Sequence, residues 1–358
     1  MGIRLPHLVG SIVEAALTPH PVDRYLELID PMLTWRDLRA QVIAVDHPTD
    51  RTVRLTLRPT RQWTGHEAGQ YVQLSVVING VRHTRCFSPA NAARPGGDLE
   101  LTITAHDNGV VSTYLREHAR VGMVLGLSPA MGEFRLPTER PRAAVFLNGG
   151  SGVTPVLSMV RTLVAEHYTG QITFVHYART RADVAYRDEL VALDAAHPTI
   201  DLRMHYTRGD DPDHFTAAHL ADIPDLDDAH LFVCGPPALM NAVTRFHHET
   251  GMTQPLHSEA FTLAAPITID PDAPVDGELT FLRSGRSATN DGRTILDQAE
   301  SAGLSPDSGC RMGICFSCNA IKKSGCTRNV LTGETNTEAD KRIQLCINAP
   351  VGDVEIEV

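Results

Sequence analysis

Asn148-Gly149-Gly150-Ser151-Gly152-Val153-Thr154-Pro155 stands between an apolar run, Ala143 to Leu147, and a segment of helical character that opens near Pro155. A further apolar run follows at Ile172 to Tyr177. Strand, glycine-rich turn, helix and strand in that order make a βαβ unit, which requires a parallel sheet flanked by helices. The glycines let the backbone approach a ligand, so that its N–H groups and the helix N-terminus can cradle a pyrophosphate. Pro155 preorganises the first helical turn. The turn is not the G-x-G-x-x-G fingerprint. A second turn, Cys234-Gly235-Pro236-Pro237, follows another buried strand ending at Leu231 to Cys234.

Toward the N-terminus the rhythm is different. From Leu38 to about Pro137 short β-runs alternate with turns, among them Val53 to Leu57, Tyr71 to Val77, Arg82 to Phe87 and Leu99 to Ala105, and this spacing predicts an antiparallel β-barrel. Before it, Leu5, Leu8, Val9, Ile12, Val13, Ala16 and Leu17 share one helical face that Pro19 and Pro21 terminate. That helix would pack on the next domain or serve as a membrane-surface contact or dimer seam, and its scarcity of basic residues weakens the membrane reading.

Toward the C-terminus, Pro266, Pro271 and Pro274 mark a semi-rigid linker. A small α+β module follows, with a strand at Glu278 to Arg283, a helix at Thr294 to Ala302 and a strand at Asp353 to Val358. The expected organisation is a helical extension at 1–37, a barrel at 38–137, a parallel-sheet nucleotide domain at 138–262, a linker at 263–275 and the last module at 276–358.

Composition narrows the function. A chain of 358 residues exceeds one compact core. A net charge of -11 leaves no basic surplus for nucleic acid. No run of 18 apolar residues and no signal sequence occurs, so a cytoplasmic location is expected, with membrane contact only through a partner. The 17 histidines show no metal-ligand spacing. Seven cysteines do not make a disulfide scaffold in so long a chain, and their crowding near the C-terminus points to metal.

Cys310, Cys315 and Cys318 stand as C-x4-C-x2-C, with Cys346 after 27 further residues. This is the spacing of plant-type ferredoxins, which hold a [2Fe-2S] cluster on four thiolates. Gly309 and Gly313 supply the bend such a loop needs. Structural zinc sites use paired C-x2-C hooks, and only one is present. Leu296 to Val358 resembles the second half of a plant-type ferredoxin, including Gly352-Asp353-Val354-Glu355-Ile356, but departs in length and charge around Lys322 to Arg328. Cys326 is surplus to the ligand set. Arg311, Lys322, Lys323 and Arg328 fall around the loop and predict a basic doorstep that docks on an acidic partner face.

Arg85-Cys86-Phe87-Ser88, preceded by Gly69-Gln70-Tyr71, resembles the flavin signature Arg-x-Tyr-Ser of the ferredoxin-NADP reductase superfamily. The resemblance implies that Arg85 pairs with a flavin phosphate, Phe87 lies on the ring system in place of the commoner tyrosine, and Ser88 bonds near the reactive ring nitrogen. Gly109-Val110-Val111-Ser112 resembles the second flavin-phosphate turn. FAD is the superfamily's default, and FMN stays open because the phthalate dioxygenase reductases share this domain order and use it. Gly149, Gly150, Gly152, Thr154 and Pro155 match the Gly-Gly-x-Gly-x-Thr-Pro turn, and Gly235 and Pro236 the second nucleotide turn, which places Cys234 beside the hydride-donating nicotinamide carbon. Ser258-Glu259-Ala260-Phe261 is similar to the domain's end, where an acid and an aromatic face the flavin. Ser88, Cys234 and Glu259 are thus the expected catalytic residues. After the strand Ile172 to Tyr177, Arg179 and Arg181 appear with no acid at the strand end, which suits the 2′-phosphate of NADPH over NADH.

Flavin domain, nucleotide domain and ferredoxin module in this order match the reductase components of multicomponent oxygenases and desaturases. A nicotinamide yields two electrons and a cluster accepts one, so a flavin must stand between them. Gly309 to Cys318 and Arg328-Asn329-Val330-Leu331-Thr332-Gly333 are similar to fused reductases that feed membrane fatty-acyl desaturases, implying a membrane-bound diiron desaturase or hydroxylase as partner. The alternatives are a Rieske-type aromatic or steroid oxygenase and, in another class, a redox-sensing binding protein; sustained turnover distinguishes an enzyme from a sensor.

Overall fold

The computed structural model describes residues 22–107, 109–261, 275–309, 311, 313 and 318–358. The amphipathic helix expected before Pro19 and nearly all of the expected linker lie outside these residues. A short helix, α1 (Val22–Leu26), follows Pro21 directly. Its buried Asp23 accepts hydrogen bonds from the backbone N–H groups of Trp35, Arg36 and Asp37, tying the incoming chain down before the first strand.

Six strands then form an antiparallel sheet: β1 (Arg39–Thr49), β2 (Thr52–Pro59), β3 (Val72–Ile78), β4 (Val81–Phe87), β5 (Leu99–Thr104) and β6 (Val124–Leu127), in the order β4-β3-β6-β1-β2-β5. Pro89, just past β4, bridges to Leu101 of β5, so the two edges of the sheet curl together. Alternation sends Val53, Leu55 and Leu57 inward with Leu74, Leu101 and Ile103. Helix α2 (Val110–His118) closes this core with Val111 and Leu115.

The second sheet is wholly parallel. Strands β7 (Ala143–Gly149), β8 (Gln171–Ala178), β9 (Ile200–Tyr206), β10 (His230–Cys234) and β11 (Leu256–Glu259) take the order β11-β10-β7-β8-β9, with helices α3 (Val153–Ala165), α4 (Arg187–Ala196) and α5 (Pro237–Thr250). Every residue of β7 is buried, as a central strand covered on both faces must be. Ala144 and Phe146 face α3, while Ala143, Val145 and Leu147 face the side of α5.

One face of α3 leaves its own sheet and packs on the antiparallel domain, where Ala68, Ala90, Phe134 and Leu136 join its core. Polar contacts fix the same seam. Ser158 Oγ donates to the Asn91 carbonyl at 2.7 Å, Ala93 N donates to Thr162 Oγ1 at 2.9 Å, and Arg161 reaches the Ala90 carbonyl and Glu100 at 2.8 Å each. The first two sheets are therefore one packed unit.

The last sheet is mixed. Strands β12 (Glu278–Phe281), β13 (Arg286–Thr289), β14 (Asn319–Asn329), β15 (Thr335–Asn336), β16 (Lys341–Gln344) and β17 (Asn348–Ile356) run β13-β12-β17-β14-β15, with β16 on β14; β12 and β17 are parallel. Helix α6 (Ile295–Ser301) starts where Thr294 accepts the Asp297 N–H.

This module corrects the basic doorstep. Register shifts between Lys322 and Ser324 in the pairing of β14 with β17, and Lys322 ends fully buried, its Nζ donating to the Asn336 carbonyl and, at 2.8 Å, to Asn336 Oδ1. Desolvation lowers its pKa. Lys323 pairs with Asp340 and Glu357, and Arg311 donates to Glu300 Oε2 at 2.9 Å. Alternation along a bulged strand, not solvation of a surface, decides where these charges go. Truncating Lys322→Ala should cost the module about 2–4 kcal/mol, because it opens a cavity and strands the Asn336 acceptors. Lys323→Ala should change little. Denaturant melts read by β-sheet circular dichroism compare the two, and equal losses would contradict the burial.

Candidate active site

The parallel strands β7 and β10 are neighbours, with Asn148 in register with Cys234, so their C-terminal turns emerge side by side. The turns then press together. A Cβ on Gly152 would fall on the Cys234 carbonyl oxygen, one on Gly149 would lie 2.8 Å from Pro236 Cδ, and one on Gly235 2.9 Å from Gly149 N. Gly150 alone takes a left-handed φ of 56°. The N-termini of α3 and α5 open beside these turns, with Thr154 and Pro155 buried in the first turn of α3 and Pro236 at the cap of α5. Gly149, Gly150, Thr154, Gly235 and Pro236 line one cavity of about 600 Å³. The antiparallel domain contributes Arg51, Thr102, Thr104 and His106 to its lining, and Phe261 lines it too.

At the seam the three expected catalytic residues meet. Glu259 ends β11 in register with Cys234 of β10, and both are buried. Burial pushes the Glu259 carboxyl up to about 8 against an ordinary 4.5, the Ser88 hydroxyl offsetting part of the rise. Burial, then the nearby carboxyl, pushes the Cys234 thiol well above its usual range. Burial thus favours the neutral thiol at Cys234 and the protonated acid at Glu259. Among the described residues, Ser88 Oγ and Glu259 Oε2 are buried and, though the hydroxyl lies close enough to lower the carboxyl's pKa, neither atom makes a hydrogen bond of full geometry. Polar atoms left so at a domain seam suit a ligand with its own ring heteroatoms, and a flavin ring fits that requirement.

Arg85 and Phe87 lie on β4, one to three residues before Ser88. Phe87 packs partly against the antiparallel core. Arg85 Nη1 donates to the Thr84 carbonyl at 2.7 Å and to the Gly309 carbonyl at 3.3 Å, so the strand of the flavin signature touches the residue immediately before Cys310. Gly109 is the N-cap of α2, and a Cβ there would collide with Ser112 Oγ. Ser112 Oγ accepts weakly from His106 N at 3.4 Å; Val111 is core and Val110 is exposed. A glycine followed by the open first turn of a nine-residue helix is what an anion needs at this place.

Cys318 and Cys346 are buried in one apolar cluster with Ile343, Leu345 and Ile347. Cys310 and Cys315 lie outside the described residues. Gly313 takes φ 77° and its missing Cβ would meet Ile347 Cδ1 at 2.7 Å, so the loop approaches the cluster of Cys346 as closely as a backbone can.

Not all expected residues converge. Arg179 lines the cavity, but Arg181 does not; it opens a short 3-10 turn, exposed. Arg51, His106, Tyr177 and Arg208 line the cavity and were not expected from sequence. They come from strand ends whose neighbours in space are set by sheet order.

A glycine turn on a parallel sheet, packed against an antiparallel flavin-type sheet with an acid, a thiol and a hydroxyl at the seam, defines a flavin- and nicotinamide-linked oxidoreductase. Residues 41–136 match the oxidoreductase FAD-binding domain family, and residues 146–245 match the oxidoreductase NAD-binding domain family. The chain is 31% identical to an NADPH oxidoreductase of Mycobacterium tuberculosis, covering 98% of this chain and 92% of that protein. It is 27% identical to a glycine betaine monooxygenase reductase subunit of Pseudomonas aeruginosa, over 81% of this chain and 86% of the relative. In fold it is similar to phthalate dioxygenase reductase, with a TM-score of 0.66 at 23% identity, covering 90% of this chain and 98% of that one. The chain belongs to the ferredoxin-NADP reductase superfamily, among the oxidoreductases that join a FAD-binding to a NAD-binding domain.

The Glu259 shift has a sign that can be measured. The folded pKa lies above the unfolded one, so between about pH 4.5 and about 8 the native state binds more protons and loses stability as pH rises. In flavin-free protein, Glu259→Gln should remove this slope, worth on the order of a few kcal/mol by pH 8. Urea melts at pH 5 and 8 measure it. Parallel losses in both proteins would mean that Glu259 is not a buried acid.

Proposed function

We propose that the chain is a reductase component that takes hydride from NADPH in preference to NADH and delivers single electrons through a [2Fe-2S] cluster to a terminal oxygenase or desaturase. The observation that carries this reading is the contact between Arg85, on the flavin-signature strand, and the carbonyl of Gly309, adjacent to Cys310. The residues that would hold flavin and those that would hold the cluster adjoin in one chain.

Flavin, when bound along β4, supplies the conversion of a two-electron donor into a one-electron source. Arg85 and the N-terminus of α2 at Gly109, Val110, Val111 and Ser112 would hold its phosphate, Phe87 would lie against its ring, and Ser88 would hydrogen-bond to it. The paired turns around Gly149, Gly150, Gly152, Thr154 and Pro155, with Gly235 and Pro236, hold the nucleotide's pyrophosphate and aim the nicotinamide at Cys234. The neutral Cys234 thiol puts no charge beside the carbon that gives up hydride. Glu259 holds an exchangeable proton below about pH 8 at a buried place, where water has no direct access. Phe261, in the cavity lining, would face the flavin.

In this reading residues 276–358 are a plant-type ferredoxin module of β-grasp form, which the parallel pairing of β12 with β17 and the packing of α6 support. Cys310, Cys315, Cys318 and Cys346 are its ligands. The loop's likeness to desaturase-linked reductases favours a membrane-bound diiron desaturase or hydroxylase as partner. The names of the relatives, a monooxygenase reductase subunit among them, favour an oxygenase, so a Rieske-type enzyme is the second reading. No described helix is long and apolar enough to cross a membrane.

Purified protein should carry about one flavin and two irons per chain. Cys318→Ser in the full chain should lose the iron, keep the flavin and NADPH-dependent ferricyanide reduction, and lose cytochrome c reduction. Cytochrome c reduction that survives loss of the iron would show that electrons leave by another route.

A further inference from the structure

Two domains line the cavity. The chain after β8 contributes Arg179, Asp183 and Ala185, and β5 of the antiparallel sheet contributes Thr102 and Thr104. The residue after Ala185 is Tyr186, which starts α4: its carbonyl accepts the Leu190 N–H at 2.9 Å, yet its side chain caps nothing. Small polar residues are the usual choice there, because their side chains take up a free N–H of the first turn. Tyr186 instead sends its ring, buried, across the seam to β5.

There its hydroxyl donates to Glu100 Oε1 at 2.9 Å and, with its one proton so committed, accepts from the Thr102 hydroxyl. Burial, then Glu100, raises the phenol's pKa, so the hydroxyl keeps that proton. Glu100 Oε1 also accepts from Arg161 at 2.8 Å, and Arg161 in turn holds Glu189 of α4. The guanidinium carbons of Arg54 and Arg161 lie 5.8 and 5.3 Å from the centre of the Tyr186 ring, which fixes the ring as well as its hydroxyl. Thr102 is itself in the lining and Tyr186 adjoins Ala185, so this polar tie sits where the two walls of the cavity meet.

Accepting that the cavity takes a nicotinamide nucleotide, we propose that Tyr186 is a positioning residue for it, its hydroxyl tying the wall after β8 to the wall of β5 through Thr102 and Glu100. Tyr186 is not in the lining and acts through its neighbours. Phenylalanine in its place would keep the ring's packing but leave the Thr102 hydroxyl without its acceptor and Glu100 with one donor fewer. The two walls would then be free to shift against each other, and a nucleotide that touches both would lose part of its hold on each.

The test uses the full, flavin-loaded chain. Tyr186→Phe should raise the KM for NADPH and for NADH alike, roughly three- to tenfold, with kcat nearly unchanged, the pattern of binding lost equally from ground and transition states. Calorimetric titration with NADP⁺ should show the same loss of affinity apart from turnover. Thr102→Val should act likewise, and the double variant should be little worse than either single one, because both remove one tie. Ser158→Ala weakens the same seam at a residue outside the lining, by removing the donor to the Asn91 carbonyl; it should lower the urea midpoint and leave both Michaelis constants and the NADP⁺ affinity in place. If Tyr186→Phe behaves like Ser158→Ala, the hydroxyl stabilises the seam alone and the proposal fails. If the effects of Tyr186→Phe and Thr102→Val add in full, each residue acts separately and there is no tie. If wild type does not bind NADP⁺ at all, the nucleotide cavity itself is misassigned, and the proposed function fails with it.

Discussion

The backbone of Gly152 lies against the carbonyl of Cys234, and most of the chemistry follows from that contact. Only two turns without side chains can approach so closely, and their approach sets the C-terminal ends of β7 and β10 beside each other with two helix N-termini facing one space. On the other side of β10, β11 pairs in register and places Glu259 next to Cys234. A larger residue at Gly152 would part the turns and draw the two helix N-termini away from their common space.

The second constraint is the seam. Helix α3 serves two masters, filling its own sheet's core with Phe146 and Phe174 and the antiparallel domain's with Phe134 and Leu136. Arg161 bridges Glu100 of one domain and Glu189 of the other from a site 18% exposed, so the pairing is worth more than a surface ion pair. A rigid seam lets Ser88 of one domain and Glu259 of the other remain buried with unsatisfied atoms, a cost that a bound ring can relieve. The C-terminal module touches this unit through Arg85 and Gly309, at the point where its cysteine loop begins.

Where backbone must approach backbone, the sequence was legible: the glycines of the turns after β7 and β10 and the glycine at the cap of α2 encode close approach through residue type. Parallel and antiparallel rhythms were legible for the same reason, since β7 is an unbroken apolar run and β2 alternates. What failed depended on register and on sheet order. Lys322 reads as a surface charge until a bulge turns it inward. Arg181 stands outside the cavity that Arg179 lines, in the short 3-10 turn capped by Thr180 and Asp183, and that Arg208 joins the lining is invisible until β9 is known to neighbour β8. The bulge and the sheet order are carried by no local pattern, whereas Thr180-Arg181-Ala182-Asp183 is a capping box written in the sequence.

In the proposed function, the contact between Arg85 and Gly309 would make electron delivery from flavin to a cluster an event within one chain. Anaerobic stopped-flow mixing of the loaded protein with NADPH, followed at wavelengths that separate flavin from cluster, measures this directly over a range of protein concentrations. Cluster reduction should follow flavin reduction with a rate constant independent of protein concentration. A rate proportional to concentration would mean that one molecule reduces another, and the contact between Arg85 and Gly309 would then have no part in electron transfer.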